Sequence, residues 1–328
     1  MDFLSVYHDN IPDFLLACAQ TPAMQRLRGV GMSCGCEYTG FPRFCNANTY
    51  SRYEHSLGVA LIVWHFTHDP AQALAGLFHD ISAPVFAHVI DFLKGDSLRQ
   101  EATEAGTMAA IAQSPEICDV LKELGLTVEA VGDYHRYPIA DNRLPMLSAD
   151  RLEYSLQDGI SYGFLGSDTA AACYRDLTVI PNASGAPELA FRTEKLAVQF
   201  AMAALACGRV YASAEDRYAM QLLSELIQAA MDSQVLCEAD LHTTEAAVIQ
   251  KLMLSPSTRE RWQAYRALST IRVSDAPLAD GLWRKIATKK RYINPLTAHS
   301  GRVGAFSPVL REALADFLAE PQDNWVSY

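Results

Sequence analysis

Apolar and polar positions along the chain follow mainly helical spacing. Asp69-Pro70 reads as an N-cap followed by proline in the first helical position, and Ala73, Leu74, Leu77 and Phe78 then form one apolar stripe. Pro84 opens a second segment, whose apolar positions are Phe86, Val89, Ile90 and Leu93. Residues 99–113, rich in Ala, Glu and Met, predict another helix, continued in short pieces over 115–124 and 127–136. Leu147, Leu152 and Leu156 mark a helix over 147–161, and the longest candidate covers 193–231 with a break at Ser213-Ala214-Glu215. Strand signals are scarce. Leu177-Thr-Val-Ile180 and Leu189-Ala-Phe191 flank Pro181-Asn-Ala-Ser-Gly-Ala-Pro187, turn chemistry that predicts one hairpin near 176–192. The pattern therefore predicts an all-α fold: a helical core over 1–170, and a mostly helical C-terminal region over 171–328 containing one small β-hairpin. No internal repeat or low-complexity tract interrupts it.

Composition narrows the function classes. The 328 residues are half apolar and one fifth charged, which excludes disorder. Lys and Arg number 27 against 38 Asp and Glu, a net charge of −11. Such a chain lacks the positive field of a non-specific nucleic-acid binder, so nucleic acid is disfavoured as a partner. No apolar run reaches the roughly 18–20 residues of a membrane span, and Met1-Asp2-Phe3-Leu4 places an acid where a secretory signal carries basic residues. The expectation is a cytoplasmic protein with no membrane partner. Among eight cysteines there is no Cys-x-x-Cys pair; Cys34-x-Cys36 with Cys45 suggests zinc, but its spacing is wrong for a ribbon or knuckle. Reduced, structural cysteines are the simpler reading.

Three separated pieces carry chemistry: Ser51-Arg52-Tyr53-Glu54-His55-Ser56-Leu57-Gly58, Leu77-Phe78-His79-Asp80, and Ala149-Asp150-Arg151-Leu152-Glu153-Tyr154. Two imidazoles and two carboxylates form a mixed N/O ligand set, suited to one divalent transition metal such as Mn, Fe, Co, Ni or Zn. Consecutive His79 and Asp80 lie about 100° apart around a helix, so they converge on one ion only where the helix ends. Tyr154 and Asp158 follow Asp150 at i+4 and i+8, lining one helix face. Taken alone, His79-Asp80 reads more readily as a capped helix end with a solvated acid.

In order along the chain, Arg52-x-x-His55, His79-Asp80 and Asp150 resemble the H…HD…D signature of the HD-domain metal-dependent phosphohydrolases. The similarity is greater to their deoxynucleoside-triphosphate triphosphohydrolase (dGTPase-like) branch. Thr21-Pro22-Ala-Met-Gln25-Arg26-Leu27-Arg28 resembles its opening helix, Arg52-Tyr-Glu-His55-Ser-Leu-Gly58 its Arg-Phe-Glu-His-Ser-Leu-Gly block, and Asp150-Arg-Leu-Glu-Tyr154-x-x-x-Asp158 its Asp-(Arg/Lys)-x-Asp-Tyr-x-x-x-Asp block. The likeness covers residues 20–165, and continues faintly through Arg209-Val-Tyr211 and Leu241–Leu254. It implies an HD helical core in which His55, His79, Asp80 and Asp150 hold one metal that activates water against a phosphate ester. Arg52 and Arg151 would then bind phosphate, while Tyr154 and Asp158 contact the sugar or base-proximal part of a nucleotide. His88 and Asp91 would orient water or move a proton, although a core imidazole is the alternative for His88. The implied partner is a small phosphorylated molecule, a nucleotide; homo-oligomers are also implied, but no interface pattern demands one.

Departures from the branch bear on activity. Where it reads His-Asp-Leu-Gly-His-Gly-Pro-Phe-Ser-His, this chain reads His79-Asp80-Ile81-Ser82-Ala83-Pro84-Val85-Phe86-Ala87-His88, so Ala83 replaces a histidine. A His-Glu pair becomes Thr103-Glu104, and two residues that reach distal phosphates become Ser213 and Ala214. Hydrolysis of a smaller phosphate ester is thus expected. The rivals are a dNTP triphosphohydrolase using His88, Asp91 and Glu104, and a regulatory nucleotide-binding protein with weakened turnover. The basic run Lys289-Lys290-Arg291-Tyr292 either folds back to a phosphate, an effector or another subunit, or forms a solvated surface.

Overall fold

The computed structural model describes residues 3–93, 106–287 and 289–328; Thr103, Glu104 and most of the segment 99–106 lie outside them. Ser51 begins the Arg52–Thr67 helix with a reciprocal capping box: its hydroxyl accepts from the Glu54 amide, and the Glu54 carboxylate accepts from the Ser51 amide. The helix is buried without interruption from Leu57 to Val63. It packs against Pro70–Phe78, whose start is capped by Asp69 accepting from Ala71 N at 2.9 Å. Ala149–Ser161, capped by Ser148, packs against the Arg52–Thr67 helix as well. The predicted ligand set lies on or at the ends of these three helices: His55 and Asp150 within two of them, His79 and Asp80 just beyond the end of the third.

The long candidate over 193–231 divides as the sequence predicts, into Glu194–Tyr211 and Ala214–Asp232, with Ser213 capping the second at the Asp216 amide. The pair bends by 45°, and no single described helix is long and apolar enough to cross a membrane. Pro115–Glu123 and Val128–Val131 also fall where helical pieces are predicted, and Thr107–Ala112 is the described helical part of 99–113. The segment opened by Pro84 differs: only Val89–Leu93 is helical. Val85 N donates to Leu241 O at 2.7 Å and Phe86 N to the Glu245 carboxylate at 3.3 Å. Phe86 and Ala87 accordingly adopt φ of +56° and +41°, left-handed conformations uncommon outside glycine. Tertiary hydrogen bonds override the apolar spacing there.

The single predicted hairpin is corrected to two small sheets. Strands β1 (Leu177–Pro181) and β2 (Pro187–Phe191) pair antiparallel around the expected turn. Along the chain there follow β3 (Arg272–Ser274), β4 (Arg284–Lys285), β5 (Leu296–Thr297), β6 (Gly301–Arg302) and β7 (Trp325–Ser327). One sheet has the order β1-β2-β5-β6, with β2 parallel to β5; the other has the order β3-β7-β4. Strands of two or three residues carry too little period-2 signal to be read. The first sheet is fastened by Arg302, whose guanidinium grips the fully buried Glu188 carboxylate with two 2.9 Å contacts. An Arg302→Ala substitution leaves that charge buried without its partner. The expected loss of stability is about 3 kcal/mol, read as a lowered denaturation midpoint with an unchanged m-value.

Apolar packing forms two clusters. One gathers Leu15, Val59, Leu74, Leu152, Phe200 and Phe317; the other gathers Phe41, Phe44, Phe86, Tyr218, Trp262 and Tyr265. Between them opens a cavity of about 690 Å³, floored by the helices of the first cluster and walled by Cys34, Phe44 and Met220 of the second.

Candidate active site

At the cavity floor the four predicted metal ligands converge. His55 lies in the first turn of Arg52–Thr67, His79 terminates Pro70–Phe78, Asp80 follows in the turn beyond, and Asp150 starts Ala149–Ser161. Because the second helix stops at Phe78, His79 and Asp80 escape the 100° divergence of neighbouring helical positions. His55 Nε2 and His79 Nε2 are 3.2 Å apart, and Asp150 Oδ1 lies 3.2 Å from the first and 3.9 Å from the second. Asp80 Oδ2 is 3.6 Å from His79 Nε2. Ligand atoms of His55, His79 and Asp80 all fall within 4.8 Å of one another. Donors at these separations, each about 2.1 Å from a shared ion, subtend angles of about 100° to 140° there. The donor set therefore fits a divalent cation.

The supporting hydrogen bonds agree. His79 donates from Nδ1 to Gly76 O at 2.7 Å, and His55 directs Nδ1 to Glu153 Oε2 at 2.5 Å. Each ring thus presents Nε2 to the shared centre, as metal-ligating histidines do. Glu153, fully buried and also bonded by Tyr7 OH at 3.3 Å, contacts His55 although the motif reading assigned it no role. Its i+3 spacing from Asp150 was the available signal. Burial disfavours charge on His55, yet hydrogen bonds to Asp150 and Glu153 outweigh it and raise the imidazole to about 10. Burial likewise works against the Asp80 carboxylate, but Arg52 first and then the two histidines hold it down at about 2; Asp150 is lowered in the same manner by His55 and His79. Asp80 and Asp150 are balanced here by Arg52 and a protonated His55, and a divalent ion would supply that positive charge in place of the His55 proton.

Arg52 pairs through Nη1 with Asp80 Oδ2, while its buried Nε finds no acceptor among the described residues. On the same cavity wall, His88 is fixed by Asp91, with Nδ1 to Oδ2 at 2.8 Å, and its Nε2 faces Arg291 Nη2 at 3.4 Å. Burial chiefly, with the charges of Arg291 and Arg52, lowers the His88 imidazole below its ordinary value despite Asp91. Lys289 and Arg291 both line the cavity, so the basic run reaches the site.

Beyond Asp150, Tyr154 and Asp158 stand about 6 Å and 12 Å further along the helix. Tyr211 OH donates to Asp158 Oδ2, and the Tyr154 and Tyr211 rings meet edge-on at 6.3 Å. Burial lifts the Asp158 carboxyl to about 6, and it lifts Asp216, a cavity residue that sequence reasoning missed, to about 7. Arg151 also lines the cavity, but its guanidinium is committed to a loop: Nη1 to Asp141 at 3.0 Å, Nε to Met146 O at 2.9 Å and Nη2 to Asn142. Asp91 lies fully buried behind His88, Glu104 falls outside the described residues, and Ala83 is packed into the larger core. The eight cysteines are free, with Cys34 and Cys36 buried and Cys45 exposed.

No family model matches the chain. Two proteins resemble it at a distance. "Metal-dependent phosphohydrolase cns2" of Cordyceps militaris is 26% identical over 297 residues, covering 86% of this chain and 79% of that protein. "Uncharacterized protein YdhJ" of Bacillus subtilis is 26% identical over 235 residues, covering 71% of this chain and 68% of that protein.

Proposed function

We propose that the chain is an HD-type metal-dependent phosphohydrolase that cleaves a phosphate monoester, a nucleotide, and releases orthophosphate. The observation that carries this reading is the meeting of the His55, His79, Asp80 and Asp150 donor set with Arg52, whose buried Nε has no acceptor among the described residues, on one cavity floor. The similarity to a protein named as a metal-dependent phosphohydrolase supports it. A divalent ion held by those four residues supplies Lewis acidity toward a phosphoryl oxygen and lowers the pKa of water.

The chain's own residues do the rest. Arg52 donates from Nε to a phosphate oxygen while Nη1 keeps Asp80 ionised and in place. His88, neutral and oriented by Asp91, moves a proton to or from its Nε2. Tyr154, Tyr211 and Asp158, displaced along the helix from Asp150, receive the sugar and base of the leaving group, and a cavity of about 690 Å³ has the size for it. Arg151, which also lines the cavity, serves as the anchor of the 141–146 loop that precedes the Asp150 helix.

The test is a product-resolved screen. Protein stripped with a chelator and reloaded separately with Mn, Fe, Co, Ni or Zn is offered nucleoside mono-, di- and triphosphates. Orthophosphate and nucleoside are expected from a monophosphate, from reloaded protein alone. Release of intact triphosphate establishes the triphosphohydrolase instead. Nucleotide binding without turnover under every metal overturns the enzyme reading.

A further inference from the structure

After β4 the chain returns to the cavity as an extended strap, and the side chains of residues 289–291 alternate about it. Lys289 and Arg291 line the cavity, whereas Lys290 points the other way. Its Nζ donates to Phe317 O at 2.7 Å and Leu318 O at 2.9 Å, and also to Glu320 O, capping the C-terminus of the Pro308–Ala319 helix. Further along, Ile293 is buried and Asn294 N donates to Pro145 O at 2.9 Å. At the centre of the strap, Arg291 O passes so close to Gly208 that a Cβ there would stand 2.3 Å from it. Gly208 lies in the last turn of the Glu194–Tyr211 helix, and the close backbone approach is what requires a glycine there.

This fastening serves the cavity. Arg291 faces His88 Nε2 at 3.4 Å, and its charge works against the burial that raises both the Tyr154 phenol and the Asp216 carboxyl. The floor needs that charge. Asp80 and Asp150 offset a divalent ion, Arg52 shares its charge with Asp80, and Arg151 shares its own with Asp141. A phosphomonoester near neutral pH brings close to two negative charges.

We propose that Lys289 and Arg291 form the phosphate clamp of this pocket, held in reach by Lys290 and Gly208, and that they select phosphomonoester dianions. This rests on the phosphohydrolase reading. The fork of Arg291 and the point charge of Lys289 grip the outer oxygens of the phosphoryl group whose inner face lies on Arg52 and the metal donors.

Calorimetric titration of inorganic phosphate into metal-loaded protein provides one arm of the test, and steady-state hydrolysis of a nucleoside monophosphate and of p-nitrophenyl phosphate provides the other. Arg291→Gln is expected to weaken phosphate binding by about 10- to 100-fold, the usual cost of a hydrogen bond to a charged group. It raises KM for both esters by a similar factor, because p-nitrophenyl phosphate has no sugar or base, and it leaves metal content unchanged. Arg291→Lys falls between, and Lys289→Gln acts in the same direction. Gly208→Ala, which touches no cavity residue except through the strap backbone, shares the weakening. Where Gly208→Ala fails to fold, Arg291→Gln decides. If Arg291→Gln binds phosphate and both esters as the parent does, the clamp is refuted while the phosphohydrolase reading stands. If the parent protein neither binds phosphate nor turns over an ester under any metal, both are refuted.

Discussion

Replacing His79 with alanine is expected to empty the metal site. In a protein reloaded and desalted beside the parent, bound metal measured by elemental analysis falls from near one equivalent to a trace. Phosphoester hydrolysis falls about a thousandfold or more, because the ion supplies several kcal/mol of transition-state stabilisation. His79 Nε2 lies 3.2 Å from His55 Nε2, 3.6 Å from Asp80 Oδ2 and 3.9 Å from Asp150 Oδ1, so it is the donor that stands close to each of the other three. Its removal also leaves Asp80 and Asp150 facing one imidazole, with Arg52 and His55 the cations in contact with them. The fold should survive, because Phe78 and Ile81 on either side are packed in the larger core independently of the imidazole. A far-UV spectrum and melting temperature close to the metal-free parent's are therefore expected. Unchanged metal content in a folded His79→Ala protein would show that these residues are not the site.

What could be read before the structure, and what could not, follows the range of the interactions. His55, His79, Asp80 and Asp150 were drawn together by the order of three motif pieces that resemble a known signature, while caps such as Ser51, Asp69 and Ser148 marked only where their helices begin. The β1–β2 hairpin was legible through its turn. By contrast β5 and β6 add to that hairpin across more than a hundred residues, by two-residue pairings and the Arg302–Glu188 contact. Residues 84–88 carried apolar spacing but yielded to acceptors at Leu241 and Glu245. Arg151 was legible as a pocket residue, yet its commitment to Asp141 and Asn142 was not. The net charge of −11 is sharpened most. It first spoke against nucleic acid; with Asp80, Asp150, Asp158 and Asp216 all in one cavity, it becomes the reason that a cation and the Lys289–Arg291 strap are required there.

The conservative change Glu153→Gln is expected to loosen the metal about 10- to 100-fold, the usual cost of removing the partner that orients a ligating histidine. Glu153 touches no substrate in the proposed arrangement; it acts through His55 and is a positioning residue. Its Oε2 stands 2.5 Å from His55 Nδ1, and its Oε1 receives Tyr7 OH, so the carboxylate both fixes the tautomer and makes Nε2 a stronger donor. Glutamine keeps the shape and the hydrogen bond from Nδ1 but not the charge. Chelator competition should show a faster loss of metal, while activity at saturating metal returns to within a few-fold of the parent, a recovery that His79→Ala cannot make. The packing offers a second route to the same result. Glu153 lies so near Gly58 that a Cβ there would stand 2.8 Å from its Cγ and 2.9 Å from Oε1. Both groups are buried between the Arg52–Thr67 and Ala149–Ser161 helices, so Gly58→Ala must displace the Glu153 side chain and weaken metal retention without altering any ligand. Metal retention unchanged in Glu153→Gln would mean that Glu153 stabilises the helix pair and does not tune His55; the two roles separate because only the second moves the chelator curve while leaving the melting temperature of the metal-free protein in place.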